Sequence, residues 1–204
     1  MTANGGASLK KNIYLVGGGG HCVSCIDVIE STNEFVIKGI FDRLENVGQT
    51  VLGYPIIGTD ADIEKYVSEE NFFLLTIGQI QSAQTRQKLA DQIGLLNGQF
   101  AIVVSSRAYV SRHAELGYGT IVMHDAVVNA NARIGEHCIL NTKSLIEHDA
   151  RVEDFCHIST GAIVNGTTTI ESETFVGSGA VVKHSVTVPA KSLIQAGEFY
   201  KGKV

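Results

Sequence analysis

From Val110 to Ile194 every sixth residue is aliphatic, fifteen in succession. Two places before each stands Ala, Ser, Thr or Cys, from Ala108 to Ser192, with Val186 as the one exception. At 44% apolar residues overall, chance does not produce a run of that length. An antiparallel sandwich does not produce it either, because its strands alternate with period two. Six residues make one short strand and a corner, and three such units close a triangular coil of about eighteen residues. The aliphatic residue points into the prism and the small residue fits near the corner. Side chains one coil apart then stack in ladders, which makes Cys138 and Cys156 adjacent rungs. Gly117, Gly135 and Gly177 each follow an aliphatic residue and suit corners that need a permissive backbone. About five coils fit between roughly residues 106 and 195.

Residues 11–105 carry a different pattern. Asn12–Val16 is an apolar strand that ends in Gly17-Gly18-Gly19-Gly20-His21, and residues 22–31 read as a helix. Val36–Phe41 is a second strand, closed by Asp42. Pro55–Gly58 is a short apolar segment and 60–67 a short helix. Asn71–Ile77 is a strand that runs into Gly78-Gln79, Ser82–Ile93 a helix with a polar face, and Phe100–Val104 a last strand. Strand and helix in alternation predict an α/β domain with a small parallel, Rossmann-like sheet. Residues 106–204 form a second, all-β domain, and residues 1–10 are expected to be disordered.

The glycine-rich turn between the first strand and helix is the place where α/β folds hold phosphate. Taking Gly17 and Gly19 as the first two glycines of a dinucleotide fingerprint puts Cys22 at the third position. No P-loop Lys follows either, so a mononucleotide or nucleotide-sugar site fits better than NAD. The net charge of -5 argues against a nucleic-acid partner. The first apolar run is too short for a secretion signal, and no stretch reaches membrane-spanning length. A cytoplasmic protein is expected, with Cys22, Cys25, Cys138 and Cys156 as free thiols. Cys22-Val-Ser-Cys25 has no second pair to complete a zinc site, and small buried thiols fit it better.

Together the motifs resemble those of the bacterial nucleotide-4-aminosugar N-acetyltransferases of the bacillosamine-pathway type, with their sialic acid O-acetyltransferase-like relatives. The resemblance runs from about residue 11 onward. It is carried by Gly17–His21, Asp27, Gly39-Ile40-Phe41-Asp42, Ile77-Gly78, the stretch Asn141 to Asp149, and Cys156 to Ala162. It departs at Arg43, where a second acidic residue is usual, at Gln79 in place of Asn, and in the tail Ala196 to Lys201. The resemblance implies a left-handed parallel β-helix of hexapeptide repeats, a homotrimer, and acetyl-CoA bound between adjacent prisms. It places the nucleotide-linked sugar, UDP-linked by expectation, at Gly17, Gly19, Gly20, His21, Asp42, Arg43, Gly78 and Gln79. The coenzyme falls to His157, Gly161, Gly166, Gly177, Gly179 and Ala180, with His157 also a possible contact to the sugar.

Acetyl transfer to an amine needs a base for the amine proton and a donor for the oxyanion. His148 lies two residues after inward Ile146, at a corner where side chains face out, and Asp149 beside it can orient the imidazole. Both are assigned to catalysis by the resemblance. Gly166, one coil further on, offers its N–H on the same edge. O-acetylation of a sugar hydroxyl uses the same groups, and a non-catalytic nucleotide-binding scaffold is the third reading. His113, His124, His137 and His184 could in principle gather a zinc ion across subunits, as in gamma-class carbonic anhydrase, but that family lacks the N-terminal domain; no metal is expected.

Overall fold

The computed structural model describes residues 10–202. Apart from Lys10, the segment expected to be disordered lies outside the described residues. The N-terminal sheet contains β1 (Lys11–Val16), β2 (Phe35–Phe41), β3 (Thr50–Val51), β4 (Tyr54–Gly58), β5 (Asn71–Leu75) and β6 (Gln99–Phe100), in the order β3-β4-β2-β1-β5-β6. Helices α1 (Gly20–Thr32) and α2 (Gln84–Leu95) cover its two faces. Ile13 and Leu15 pack with Cys22, Cys25 and Ile26 of α1, while Tyr14 and Val16 pack with Leu89 and Ile93 of α2. A strand buried on both faces reads as a continuous apolar run, which is how β1 appears in the sequence.

Three details differ from the expected pattern. The sheet is mixed, because β3 and β4 form a small antiparallel hairpin turned by Leu52 and Gly53, both at positive φ. A two-residue edge strand leaves no periodicity to read. Residues 60–67 form a 3-10 helix over Asp60–Tyr66, held at its start by a reciprocal Thr59–Asp62 capping box. Phe100–Val104 is divided: β6 completes the N-terminal sheet, and Val103–Val104 is already the first rung of the second domain.

That domain is a left-handed parallel β-helix. Its two-residue strands recur every six residues from Val103–Val104 to Phe199–Tyr200 and stack into three faces of six, six and five strands. The first face contains Ile139–Leu140 and His157–Ile158, the second Leu145–Ile146, and the third Arg151–Val152. The inward aliphatics from Val122 to Ile194 and the small residues between them form one continuous core. Cys138 and Cys156 are buried free thiols on neighbouring rungs, and Cys22 and Cys25 are buried free thiols in α1. The backbone of most corners passes through a residue at positive φ, among them Asn131, Lys143, Asp149 and Thr167.

The outward residue of each strand distinguishes the faces. On the first face Val103, Ile121 and Ile139 are buried, because the α1 side of the N-terminal domain packs on them. On the third face the outward positions are polar or charged: Glu115, Arg133, Arg151, Thr169 and Thr187. On the second face they are apolar and only partly covered: Tyr109, Val127, Leu145, Ile163, Val181 and Phe199.

Gly117, Gly135 and Gly177 have no positive φ. Their reason is space, since a Cβ on Gly117 would lie 2.4 Å from Gly135 C, and one on Gly177 2.6 Å from Ala196 N. At Gly135 it would lie 2.7 Å from the backbone N of Asp154 in the next coil. Gly135→Ala is therefore expected to cost about 1–3 kcal/mol through overpacking and to lower Tm by several degrees. An unchanged thermal denaturation curve would show that the coils part without cost.

Candidate active site

Two groups of residues stand out, and the fold sets them apart. The first surrounds a cavity of about 730 Å³ beyond the ends of β1, β2 and β5. Its floor is the turn from β1 into α1. Gly17 has φ +106°, and a Cβ there would lie 2.3 Å from Ile77 Cγ1. A Cβ on Gly18 would lie 2.8 Å from Asp42 Oδ2, so glycine lets the end of β2 close against the turn. Gly19 and Gly20 open onto free space at the start of α1, where helix N–H groups favour an anion. Asp42 accepts from the Arg43 N–H at 2.8 Å and from Asn46 Nδ2 at 3.0 Å. Burial, with repulsion from Asp42, raises the Asp60 carboxyl above its ordinary pKa, while Lys88 draws it down.

Of the residues expected to hold the sugar nucleotide, Gly17, Gly19, Gly20, His21, Asp42, Arg43 and Gly78 line this cavity. Gln79 does not. It is buried, and its side-chain amide donates to the backbone of the β-helix at Phe155 O, 2.7 Å away. Spacing along the chain gives no sign of Leu44, Asn46, Asp60 or Thr85, which also line it. They come from two short 3-10 helices and from α2, without a spacing that links them.

The second group occupies the corner between the second and third faces of the prism. His148 is exposed, with 63% of its side chain accessible, and its Nδ1 meets Asp149 Oδ2 at 2.7 Å. Asn131, one coil earlier, donates to Asp149 Oδ1 at 2.5 Å. The carboxylate thus has one oxygen fixed by an amide and the other by the imidazole. The bond to Asp149 raises the His148 pKa above its ordinary value of 6.5, and the bonds from Asn131 and then His148 lower that of Asp149. Gly166 lies directly over the imidazole in the next coil, where a Cβ would be 2.9 Å from His148 Nε2. Its own N–H has no acceptor among the described residues. Asn131 was legible in principle, since it stands one coil before Asp149 in a register the period of six already defines.

The remaining expected coenzyme residues are dispersed. Gly161 and Gly179 have positive φ and open space around a would-be Cβ, at the corner between the first and second faces. Ala180 is buried in the prism core, and Gly177 packs against the following coil. His157 is not at a corner. It lies on the outward side of the first face, beneath the N-terminal domain, donating from Nδ1 to Gln79 O at 2.6 Å and accepting at Nε2 from Asn141 Nδ2 at 3.1 Å. His137 is also buried, stacked on Phe155 and edge-on to Phe100. His124 bridges Ser105 and Asp27, while His113 and His184 are exposed corner residues. Among the described residues no group of three or more His, Cys, Asp or Glu side chains is arranged to hold a metal ion. No described helix is long and apolar enough to cross a membrane.

Comparison with known proteins agrees with both halves. Residues 12–93 match the family described as the PglD N-terminal domain. UDP-N-acetylbacillosamine N-acetyltransferase of Bacillus subtilis is 30% identical over 117 residues, which is 55% of this chain and 51% of that protein. The chain spans about half or less of the length of the curated relatives it matches. A crystal structure of a perosamine N-acetyltransferase mutant from Caulobacter crescentus, in complex with CoA and GDP-perosamine, superposes with a TM-score of 0.87 at 28% identity, covering 97% of this chain and 92% of the other. The acetyltransferase domain of PglB from Neisseria gonorrhoeae superposes with a TM-score of 0.88 at 26% identity, covering 96% and 93%. The chain is thus similar, over both of its halves, to nucleotide-aminosugar N-acetyltransferases.

Two titrations test these assignments without reference to activity. The His148 imidazole is expected to titrate above 6.5 in NMR and to fall toward that value in Asp149→Asn. The same pKa in both proteins would mean that the pair does not form in solution. The second concerns His21, His137 and His157, which burial lowers to about 4 from 6.5. The unfolded chain takes up these protons at a pH where the folded chain does not. Their contribution is intact above 6.5 and is lost as pH falls toward 4, so Tm is expected to drop across that interval. A flat profile there would contradict the burial of the three rings.

Proposed function

We propose that the protein transfers the acetyl group of acetyl-CoA to the 4-amino group of a nucleotide-linked 4-amino-4,6-dideoxy sugar. The observation that carries this reading is the exposed His148–Asp149 pair under Gly166, on a chain that also holds a glycine-floored cavity of nucleotide size. The neutral amine attacks the thioester carbonyl, and His148 Nε2 removes its proton as the C–N bond forms. Asp149 holds the Nδ1–H tautomer and stabilises the imidazolium. The free Gly166 N–H faces the developing oxyanion. Collapse expels the CoA thiolate, which takes the proton from His148. The names of the relatives carry a GDP-linked sugar in one case and a UDP-linked sugar in the other, so the nucleotide is the first quantity to determine.

The active site is proposed to form between chains of a homotrimer. The cavity belongs to the domain packed on the first face, whereas His148 stands at the corner where the other two faces meet. The half-exposed apolar column on the second face supports self-association, because buried apolar area drives it. Gly161 and Gly179 flank one edge of that face, and His148 and Gly166 flank the other. Adjacent copies joined there would bring unlike edges together around an extended coenzyme. Acetyl-CoA as donor also supports a cytoplasmic location.

The test is thiol release from acetyl-CoA with GDP-, UDP- and dTDP-linked 4-amino sugars. One sugar is expected to react, and His148→Ala to lower kcat by about a hundred- to ten-thousand-fold. Absence of release with every amino sugar overturns the reading in favour of O-acetylation or a binding scaffold. Co-expressing His148→Ala chains with Gly18→Val chains, whose Cβ would crowd Asp42, is expected to restore part of the activity. No recovery would mean that each chain uses its own His148.

A further inference from the structure

Arg86 of α2 is 1% exposed and has no carboxylate partner among the described residues. Its Nη1 donates to Gln79 Oε1 at 3.1 Å, its Nη2 to the backbone O of His137 at 2.7 Å, and its Nε has no acceptor. Taking a guanidinium out of water without a counter-ion is costly, and a hydrophobic side chain of similar size would fill the space at lower cost. Stability therefore does not account for it.

The groups it holds lead toward the cavity. Gln79 is gripped at both ends, by Arg86 at Oε1 and by Phe155 O at Nε2. Its backbone carbonyl accepts the Nδ1–H of His157 at 2.6 Å. That bond fixes the His157 tautomer and leaves Nε2 as an acceptor for Asn141. On the other side of Gln79 is Gly78, which lines the cavity and faces His21, where a Cβ on Gly78 would lie 3.6 Å from His21 Cβ. The His21 ring is 6.3 Å from that of His157 and also lines the cavity. A single residue, Gln79, thus connects the cavity rim to the β-helix, and the buried Arg86 sets its position.

We infer that Arg86 is a positioning residue: acting through Gln79, it fixes the orientation and Nδ1–H tautomer of His157 and the Gly78–His21 rim that grips the nucleotide-linked substrate. The last part rests on the cavity being the nucleotide site. Arg is required because two acceptors on different elements must be met by one planar fork, which the single ammonium of Lys does not reproduce.

The experiment compares wild type with Arg86→Met, Arg86→Lys and Gln79→Met. Nitrogen NMR of the His157 ring reads the tautomer, and calorimetry with GDP and with UDP reads the cavity. Wild type is expected to show a protonated Nδ1 and a bare Nε2. Arg86→Met is expected to mix the tautomers and to weaken nucleotide binding by about tenfold, the scale of one lost buried charged hydrogen bond. In transfer assays KM for the sugar nucleotide rises. Gln79→Met should reproduce these effects and carries the test if Arg86→Met does not fold. The double variant should be no worse than either single change, because both act along one path. Lower Tm with an unchanged His157 tautomer and unchanged binding would reduce Arg86 to a packing residue, as would full function in Arg86→Lys. If neither nucleotide binds wild type, the nucleotide reading of the cavity fails, while the tautomer measurement still decides the positioning role.

Discussion

The register of the backbone ladder between coils is the constraint on which the rest of this structure depends. The Arg151 N–H donates to Thr168 O in the next coil, the Asp149 N–H to Ala130 O in the previous one, and the pattern repeats along the prism. A residue's neighbours above and below are therefore fixed by arithmetic on its number. Thus Asn131 meets Asp149, Asn129 meets Glu147, and Gly166 leaves space over His148. Shifting one coil by a single residue would exchange inward for outward side chains and dismantle the His148 corner at the same time. Corners pay for this order with non-glycine residues at positive φ, Asp149 among them, at a cost that their cross-coil hydrogen bonds offset.

The same register turns the outward positions into three columns with separate uses. An apolar column on the first face receives the N-terminal domain, and a polar column on the third faces solvent. The apolar column on the second is only partly covered by the described residues. The proposed functional groups stand at the corners and at the junction with the N-terminal domain, where the repeat is least regular. His137 and Phe155 are corner residues by number, yet both turn under the N-terminal domain as part of an aromatic stack. His157 is an outward face residue that becomes a buried polar link.

Which parts were legible in the sequence follows from this. The period of six fixed the inward aliphatics, the ladder of small residues, and the outward placement of His148 beside Asp149, because each depends only on spacing. The handedness of the coil entered through resemblance to a known family, since spacing is blind to it. Gly135 was assigned to a permissive backbone when the true reason was the approach of Asp154, which only three-dimensional contact reveals. Gln79 was read with Gly78 as a substrate contact, but neighbouring residues at a strand end can point to opposite sides. Arg86 had no distinguishing mark, because a lone arginine on a helix with a polar face reads as a solvated side chain.

The arrangement also bears on the proposed division of cavity and base between chains. A single prism has three faces, and the N-terminal domain uses one of them. A base at the edge that the first face shares with the third would lie under the rim of the docked domain, as His137 does, where burial lowers an imidazole to about 4. Such a ring is a poor base at neutral pH, because the imidazolium it must become is disfavoured. The far corner leaves His148 exposed and lets Asp149 raise its pKa instead. In the proposed mechanism, solvent access and a carboxylate partner are thus gained by a base that stands away from its own cavity. In the proposed assembly a neighbouring chain brings a cavity to it, and the partly covered apolar face beside that corner is suited to hold that neighbour in place.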